Sequence, residues 1–154
     1  MAVFKDNAGR EWVITLTVDS IKRVRSLLKV DLVECVTCDL WERMVNDPVL
    51  VANTVYALAK PQADAAKVTD EDFGKAMFGE PLADALEALQ DELVHFFPRH
   101  QRTTLVAKMM AAAEKIMTRV KADRLALAAA VSAPPASGDG STDSPESSAS
   151  IPVP

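Results

Sequence analysis

Apolar positions recur at three- and four-residue spacing along most of the chain, which predicts a mainly helical protein. The clearest pattern covers residues 68–98. Thr69 is a predicted N-cap, Gly79 and Pro81 mark a break with a new helix start, and Pro98 ends the stretch. The second of these two helices has an apolar face and an opposite acidic face. The apolar positions are Leu82, Leu86, Leu89, Leu93 and the Phe96-Phe97 pair, and the acidic ones are Asp84, Glu87, Asp91 and Glu92.

Residues 3–16 follow a different pattern, because apolar and polar positions alternate there around a run of turn-forming residues at 6–9. This pattern predicts a β-hairpin. Trp12, Ile14 and Leu16 lie on one face of its second strand. Since a two-stranded hairpin is marginally stable alone, we expect that face to pack against the helices.

Further helix signals lie between the hairpin and residue 68. Thr17 is a predicted N-cap. A second helical pattern covers residues 32–45. Asp47 and Pro48 begin a third helix, and Pro61 is expected to end it. Together with the helices described above and the last one, these signals predict a compact domain of five or six helices.

The last helix is predicted over residues 99–122, with a helical extension over residues 126–131. Its apolar stripe is wider than one packing surface needs. Two interpretations follow. The methionines of the stripe are either core residues or the edge of an adaptable groove that binds a partner helix. The candidate partner-binding residues are Val106, Met109, Met110 and Met117.

The composition fits one globular domain, with 49% hydrophobic and 25% charged residues in a chain of 154. The composition changes at residue 132, and residues 132–154 are rich in Pro and Ser and carry acidic but no basic residues. We therefore expect a helical domain over residues 1–131 and a disordered tail over residues 132–154. No apolar run reaches the roughly 18 residues of a membrane span, and no secretory signal is recognisable, which favours a cytoplasmic protein.

Charge argues against a nucleic-acid-binding protein. The net charge is −5, and residues 1–131 hold 17 basic against 19 acidic residues, whereas a nucleic-acid-binding domain is normally basic. Basic residues do concentrate within 99–124. The ordinary explanation is that the last helix packs beside the acidic helix before it through complementary edges.

The only motif with possible chemistry is the Cys35–Cys38 pair, a CxxC. A zinc site needs four ligands, and His95 and His100 are the sole candidates to complete one. Two structural cysteines explain the pair better, since free cysteine behaves as a small hydrophobe. A metal-binding or redox role is the alternative. No nucleotide-binding, hydrolase or metalloprotease motif occurs, so we expect no enzyme, cofactor or metal.

Taken together, helix starts and apolar positions over residues 9–118 resemble those of the small tail assembly chaperones of tailed, siphovirus-like bacteriophages. The resemblance lies in the pattern as a whole, and no single motif carries it. The matching segments are Gly9-Arg10-Glu11-Trp12, Leu16-Thr17-Val18, Ile21-Lys22-Arg23, Val30-Asp31-Leu32, Asn46-Asp47-Pro48, Asp70-Glu71-Asp72-Phe73-Gly74, Gly79 and Phe96-Phe97-Pro98.

The resemblance implies a protein of the infected bacterial cytoplasm that binds the tape measure protein and recruits tail tube subunits during tail morphogenesis. Such chaperones are generally absent from the finished virion, and several are also made in frameshift-extended forms. The alternative is a structural minor tail or head-completion subunit that stays in the virion. The resemblance supplies no catalytic or ligand-binding residues, and the sequence leaves the oligomeric state open.

Overall fold

The computed structural model describes residues 1–132. Within that range an antiparallel hairpin precedes seven helices, which confirms the predicted mainly helical fold. The elements are β1 (Ala2–Lys5), β2 (Glu11–Ile14), α1 (Val18–Leu28), α2 (Glu34–Thr37), α3 (Leu40–Asn46), α4 (Pro48–Ala65), α5 (Asp70–Ala76), α6 (Glu80–Phe96) and α7 (Arg99–Ser132). The predicted disordered tail lies outside the described residues, apart from Ser132, which ends α7.

Helix α4 is the centre of the first of two compact units, Met1–Arg119. It contacts α1, α3, α5, α6 and β2. Asp47 caps its first turn, because the Asp47 carboxylate accepts hydrogen bonds from the backbone N–H groups of Val49 and Leu50 at 3.0 and 3.1 Å. The predicted start at Asp47 and Pro48 is therefore confirmed. The buried residues of α4 are Val51, Thr54, Val55, Ala57, Leu58, Ala59 and Ala63.

The predicted end of α4 at Pro61 is wrong, because the helix continues to Ala65. Proline removes one backbone donor from a helix, which normally ends it. Here the last turn of α4 is stabilised by hydrogen bonds to β2. The Gln62 side chain accepts a hydrogen bond from the backbone N–H of Val13 at 3.0 Å and donates one to the Val13 carbonyl at 2.6 Å. These bonds also occupy the exposed edge of β2, which a sheet otherwise leaves free for association.

Two other predicted helix starts are confirmed by their caps. Thr17 and Ser20 form a reciprocal capping box at the start of α1. The Thr69 side chain accepts a hydrogen bond from the backbone N–H of Asp72 at 3.1 Å at the start of α5. The region 32–45 holds two short helices, α2 and α3, where the periodicity predicted one. This division explains why seven helices are seen instead of five or six.

The hairpin packs against the helices through the predicted face, since Trp12, Ile14 and Leu16 are all buried. Its turn is pinned to the far end of α5. The Asn7 side chain donates hydrogen bonds to the carbonyls of Ala76 and Phe78 at 3.0 and 2.8 Å. Carbonyls at a helix C-terminus have no partner within the helix, so Asn7 satisfies groups that would otherwise be unpaired.

A buried carboxylate organises the hairpin turn. Asp6 Oδ1 accepts hydrogen bonds from the backbone N–H groups of Ala8 and Arg10 at 2.9 and 3.0 Å. Its Oδ2 accepts from Trp12 Nε1 at 2.9 Å and from Arg10 Nε at 2.7 Å. Burial by itself raises the pKa of Asp6, but these hydrogen bonds and the Arg10 charge lower the pKa below its usual value.

The acidic face predicted for α6 needs one correction, because Glu92 is buried. Its carboxylate accepts a hydrogen bond from the backbone N–H of Leu16 at 3.1 Å and pairs with the amino group of Met1. The hairpin therefore packs along α6 and covers Glu92, while Asp84, Glu87 and Asp91 remain exposed as predicted.

The last helix is continuous where an interruption was expected, since α7 runs to Ser132 and includes both the predicted helix, 99–122, and the predicted extension, 126–131. The second unit begins at Val120. Each of its described residues, 120–132, is exposed, including Leu125, Leu127 and Val131. This is an unusual environment for a run so rich in apolar side chains, because a helix in a globular protein normally buries an apolar stripe.

Candidate functional site

The candidate partner-binding surface lies on α7, and its orientation is set by contacts between α7 and the region of α2 and α3. Leu105, Met109 and Ala112 are the buried residues of α7. Two lysines beside them attach the helix. Lys108 Nζ donates a hydrogen bond to the Cys38 carbonyl at 3.0 Å, and Lys115 Nζ pairs with the Glu42 carboxylate at 2.9 Å.

These contacts separate the four candidate residues into two groups. Met109 is buried in the core, so its assignment to a partner-binding surface is wrong. Met110 and Met117 are 69% and 61% exposed, and Val106 is partly exposed. Met110 and Met117 are seven residues apart and point in nearly the same direction. We call Val106, Met110 and Met117 the methionine face.

The charge complementarity predicted between the last two helices is found elsewhere. Among the described residues, no ion pair joins α6 to α7, and the basic residue Lys115 pairs with Glu42 of α3 instead. That hydrogen bond, together with the charge of Glu42, raises the pKa of Lys115. Because Lys115 lies on the side of α7 away from Met110, the ion pair leaves the methionine face open.

One cleft that the sequence did not indicate lies between the hairpin turn and α5, with a volume of about 460 Å³. Asn7, Arg10 and Phe78 are among its lining residues. Two of its polar side chains join the hairpin to the helices, because Asn7 bonds to Ala76 and Phe78, and Arg10 donates to the Asp72 carbonyl at 3.2 Å. The cleft therefore marks the joint between the hairpin and the helices, and we assign it no ligand.

The CxxC residues have contrasting environments. Cys35 is fully buried in the core, whereas Cys38 is exposed at the end of α2, and both are free thiols. Burial, with a smaller effect of Asp31 and Glu34, raises the pKa of Cys35 to about 12. A thiol in that state is a poor nucleophile, because the thiolate is the reactive form.

Thiol labelling will distinguish the two cysteines. We expect a maleimide to modify Cys38 within minutes at pH 7 and to leave Cys35 unmodified until the chain is unfolded in guanidinium chloride. Mass spectrometry after each step measures the number and position of the labels. Equal reaction rates for both thiols in the native protein would contradict the buried position of Cys35 and restore a redox role to the pair.

Within residues 1–132 no group of three or more His, Cys, Asp and Glu side chains is placed to hold a metal ion. No helix in this part of the chain is long and apolar enough to cross a membrane.

Comparison with family models, curated proteins and solved structures finds no match to this chain.

Proposed function

We propose that the protein is an assembly chaperone that covers apolar helical segments of a phage tape measure protein and recruits tail tube subunits to it. It would act in the cytoplasm of the infected bacterium. The proposal joins the sequence resemblance over residues 9–118 to one structural observation, the exposed methionine face. Two large thioether side chains in solvent on one side of a helix suit the docking of a partner helix, since exposed apolar patches often mark interaction sites.

Methionine suits a client whose sequence varies along its length. Its side chain is unbranched and polarisable, so it can adapt to different neighbouring side chains. A client helix laid along α7 would bury Met110 and Met117, and its own apolar stripe, in a helix-in-groove arrangement. Burial of each methionine contributes about 2 kcal/mol, so loss of both would weaken binding by about 1,000-fold.

The test is co-expression of the client with the Met110→Lys, Met117→Lys double variant, followed by affinity purification through the chaperone. We expect the wild-type chain to recover a soluble client complex and the double variant to lose it. The helical content, measured by circular dichroism, should not change, because both methionines are already exposed. The variant adds two charges to a surface that the client would have to desolvate.

A matched control places the same two substitutions elsewhere. Leu27 and Leu125 are also exposed, and neither belongs to the methionine face. The Leu27→Lys, Leu125→Lys variant should keep the client soluble. If both double variants retain the client, the methionine face is not the docking surface. A client that is soluble without this protein would remove the chaperone proposal itself.

The competing proposal is a structural tail or head-completion subunit. Mass spectrometry of purified virions separates the two, because a chaperone of this kind is released before the particle is complete. Detection of this chain at a stoichiometric level in virions would favour the structural subunit.

A further inference from the structure

The methionine face is part of a longer, regularly spaced stripe of residues on α7. From residue 106 to residue 131, positions separated alternately by four and three residues form one stripe within an arc of about 100°. This spacing averages 3.5 residues and is the heptad repeat of a coiled coil. We call these eight residues the seam: Val106, Met110, Ala113, Met117, Val120, Arg124, Leu127 and Val131.

Among residues 1–132, no other element covers the seam. Val106 is partly exposed, and the other seven seam residues are exposed. The residues that α7 buries against its own unit, Leu105, Met109 and Ala112, lie on a neighbouring strip of the helix. A heptad stripe of nearly four repeats that is left in solvent is typical of a helix that pairs with another helix.

We propose that the occupant is a second copy of this chain, and that the two α7 helices pair in antiparallel orientation. A two-fold axis near residues 118–119 brings every seam residue opposite another one. Met117 then faces Val120 of the second copy, and Met110 faces Leu127. The same register places Val106 opposite Val131 and Ala113 opposite Arg124. Because the two-fold rotation maps this contact onto itself, the contact closes as a dimer.

The charged residues beside the seam favour this orientation. Glu114 and Lys121 both follow a seam residue, so they flank the stripe on the same side. In the antiparallel register Glu114 faces Lys121 of the second copy, and the two-fold axis repeats the pair. Arg124 faces Ala113, whose small side chain leaves space for the guanidinium to reach Glu114 of the second copy.

A parallel pairing has no such complementarity. Each seam residue would face its own equivalent, so two Arg124 side chains would meet inside the seam, where like charges are costly. Glu114 would lie beside Met109 of the other chain and gain no charged partner. The antiparallel register satisfies both Glu114 and Arg124, and the parallel one satisfies neither.

The test uses the purified full chain without client, so its result does not depend on the proposed function. Sedimentation equilibrium should give a species of twice the 16.6 kDa chain mass that dissociates on dilution. Leu127→Glu should produce a monomer. Leu125→Glu is the matched control, because Leu125 and Leu127 are 72% and 68% exposed on the same helix but only Leu127 belongs to the seam. That control should remain a dimer.

The orientation is tested by disulfide formation in a Cys38→Ser background. When chains carrying Met110→Cys are mixed with chains carrying Leu127→Cys, the antiparallel register predicts a crosslink between the two kinds of chain. A parallel dimer would instead crosslink Met110→Cys chains to one another and overturn the register.

Two outcomes would overturn the second-copy proposal. One is a wild-type chain that stays monomeric at hundreds of micromolar, and the other is a dimer that survives Leu127→Glu. If the monomer nevertheless binds the client through Met110 and Met117, the seam belongs to the client helix. Met110 and Met117 belong to both the methionine face and the seam, so the client helix would replace the second copy when it binds. Dimerisation is measured without client and client recovery is measured separately, so either proposal can fail without the other.

Discussion

Replacement of Phe73 by Ala is expected to lower the free energy of unfolding by about 4 kcal/mol, one of the largest effects of a single substitution in this chain. Phe73 is fully buried where the hairpin, α4 and α5 meet. Its ring lies edge-on to Trp12, with centroids 5.2 Å apart, and 5.3 Å from the Tyr56 ring. The substitution removes the burial of a large side chain, leaves a cavity and breaks two aromatic contacts.

Urea unfolding followed by circular dichroism measures this loss. Phe78→Ala is the matched control, because Phe78 is 61% exposed and the substitution removes the same side chain. We expect the control to change stability by less than about 1 kcal/mol. A Phe73→Ala protein that loses no more than its control would show that the three aromatic rings do not form the joint described above.

The second large effect is expected from Asp6→Asn, at about 3 kcal/mol. Asparagine keeps the shape of the side chain but replaces one acceptor oxygen with a donor nitrogen. Trp12 Nε1 and Arg10 Nε, which both donate to Asp6 Oδ2, then face an N–H₂ group. Burial makes each unpaired donor costly, and Arg10 also loses the opposite charge.

The pH dependence of stability gives an independent measure of the same group. Since the folded-state pKa of Asp6 is lowered, its stabilisation is complete above about pH 4, the pKa of an unfolded aspartate, and is lost as pH falls through the folded pKa. Glu92, whose pKa is also lowered, adds to the loss, because hydrogen bonds from the Met1 amino group and Leu16 outweigh the effect of burial. Asp6→Asn should therefore flatten the decline in stability as pH falls below about 5.

The control for Asp6 is Asp19→Asn. Asp19 is exposed and pairs with Arg23 on the surface of α1 at 2.9 Å. Such pairs contribute little, so we expect a loss below about 0.5 kcal/mol at pH 7. If the two variants lose similar stability, the buried network around Asp6 is not a source of stability.

Sequence patterns predicted those parts of the fold that depend on neighbouring residues. The helices after Thr17, Asp47 and Thr69 begin where these side chains accept hydrogen bonds from backbone N–H groups two or three residues later. Such starts can therefore be recognised from the local sequence. The hairpin face of Trp12 and Ile14 follows from strict alternation. The fold class could therefore be predicted, because local preference and tertiary packing agree at these positions.

The sequence-based predictions were wrong where a contact with a residue distant in sequence determines the local structure. Pro61 does not end α4, because Gln62 bonds to Val13, which is 49 positions away. Glu92 is buried because the hairpin packs over it, which no pattern within α6 reveals. On α7 the apolar stripe is wide enough for two surfaces, and the packing of Leu105, Met109 and Ala112 into the core leaves Met110 exposed, which the sequence of α7 alone does not reveal.

The anchors of the hairpin also affect the order in which the molecule can be completed during synthesis. Asn7 bonds to the carbonyls of Ala76 and Phe78, and the Leu16 N–H bonds to Glu92, contacts that span 69, 71 and 76 residues. At about 5–20 residues per second, a ribosome needs several seconds to supply those partners. The hairpin leaves the ribosome before its partners and is thus among the last parts of the chain to reach its final position. Until Glu92 has emerged, the apolar face around Trp12 stays uncovered, and the nascent chain depends on cellular chaperones to keep it from aggregating.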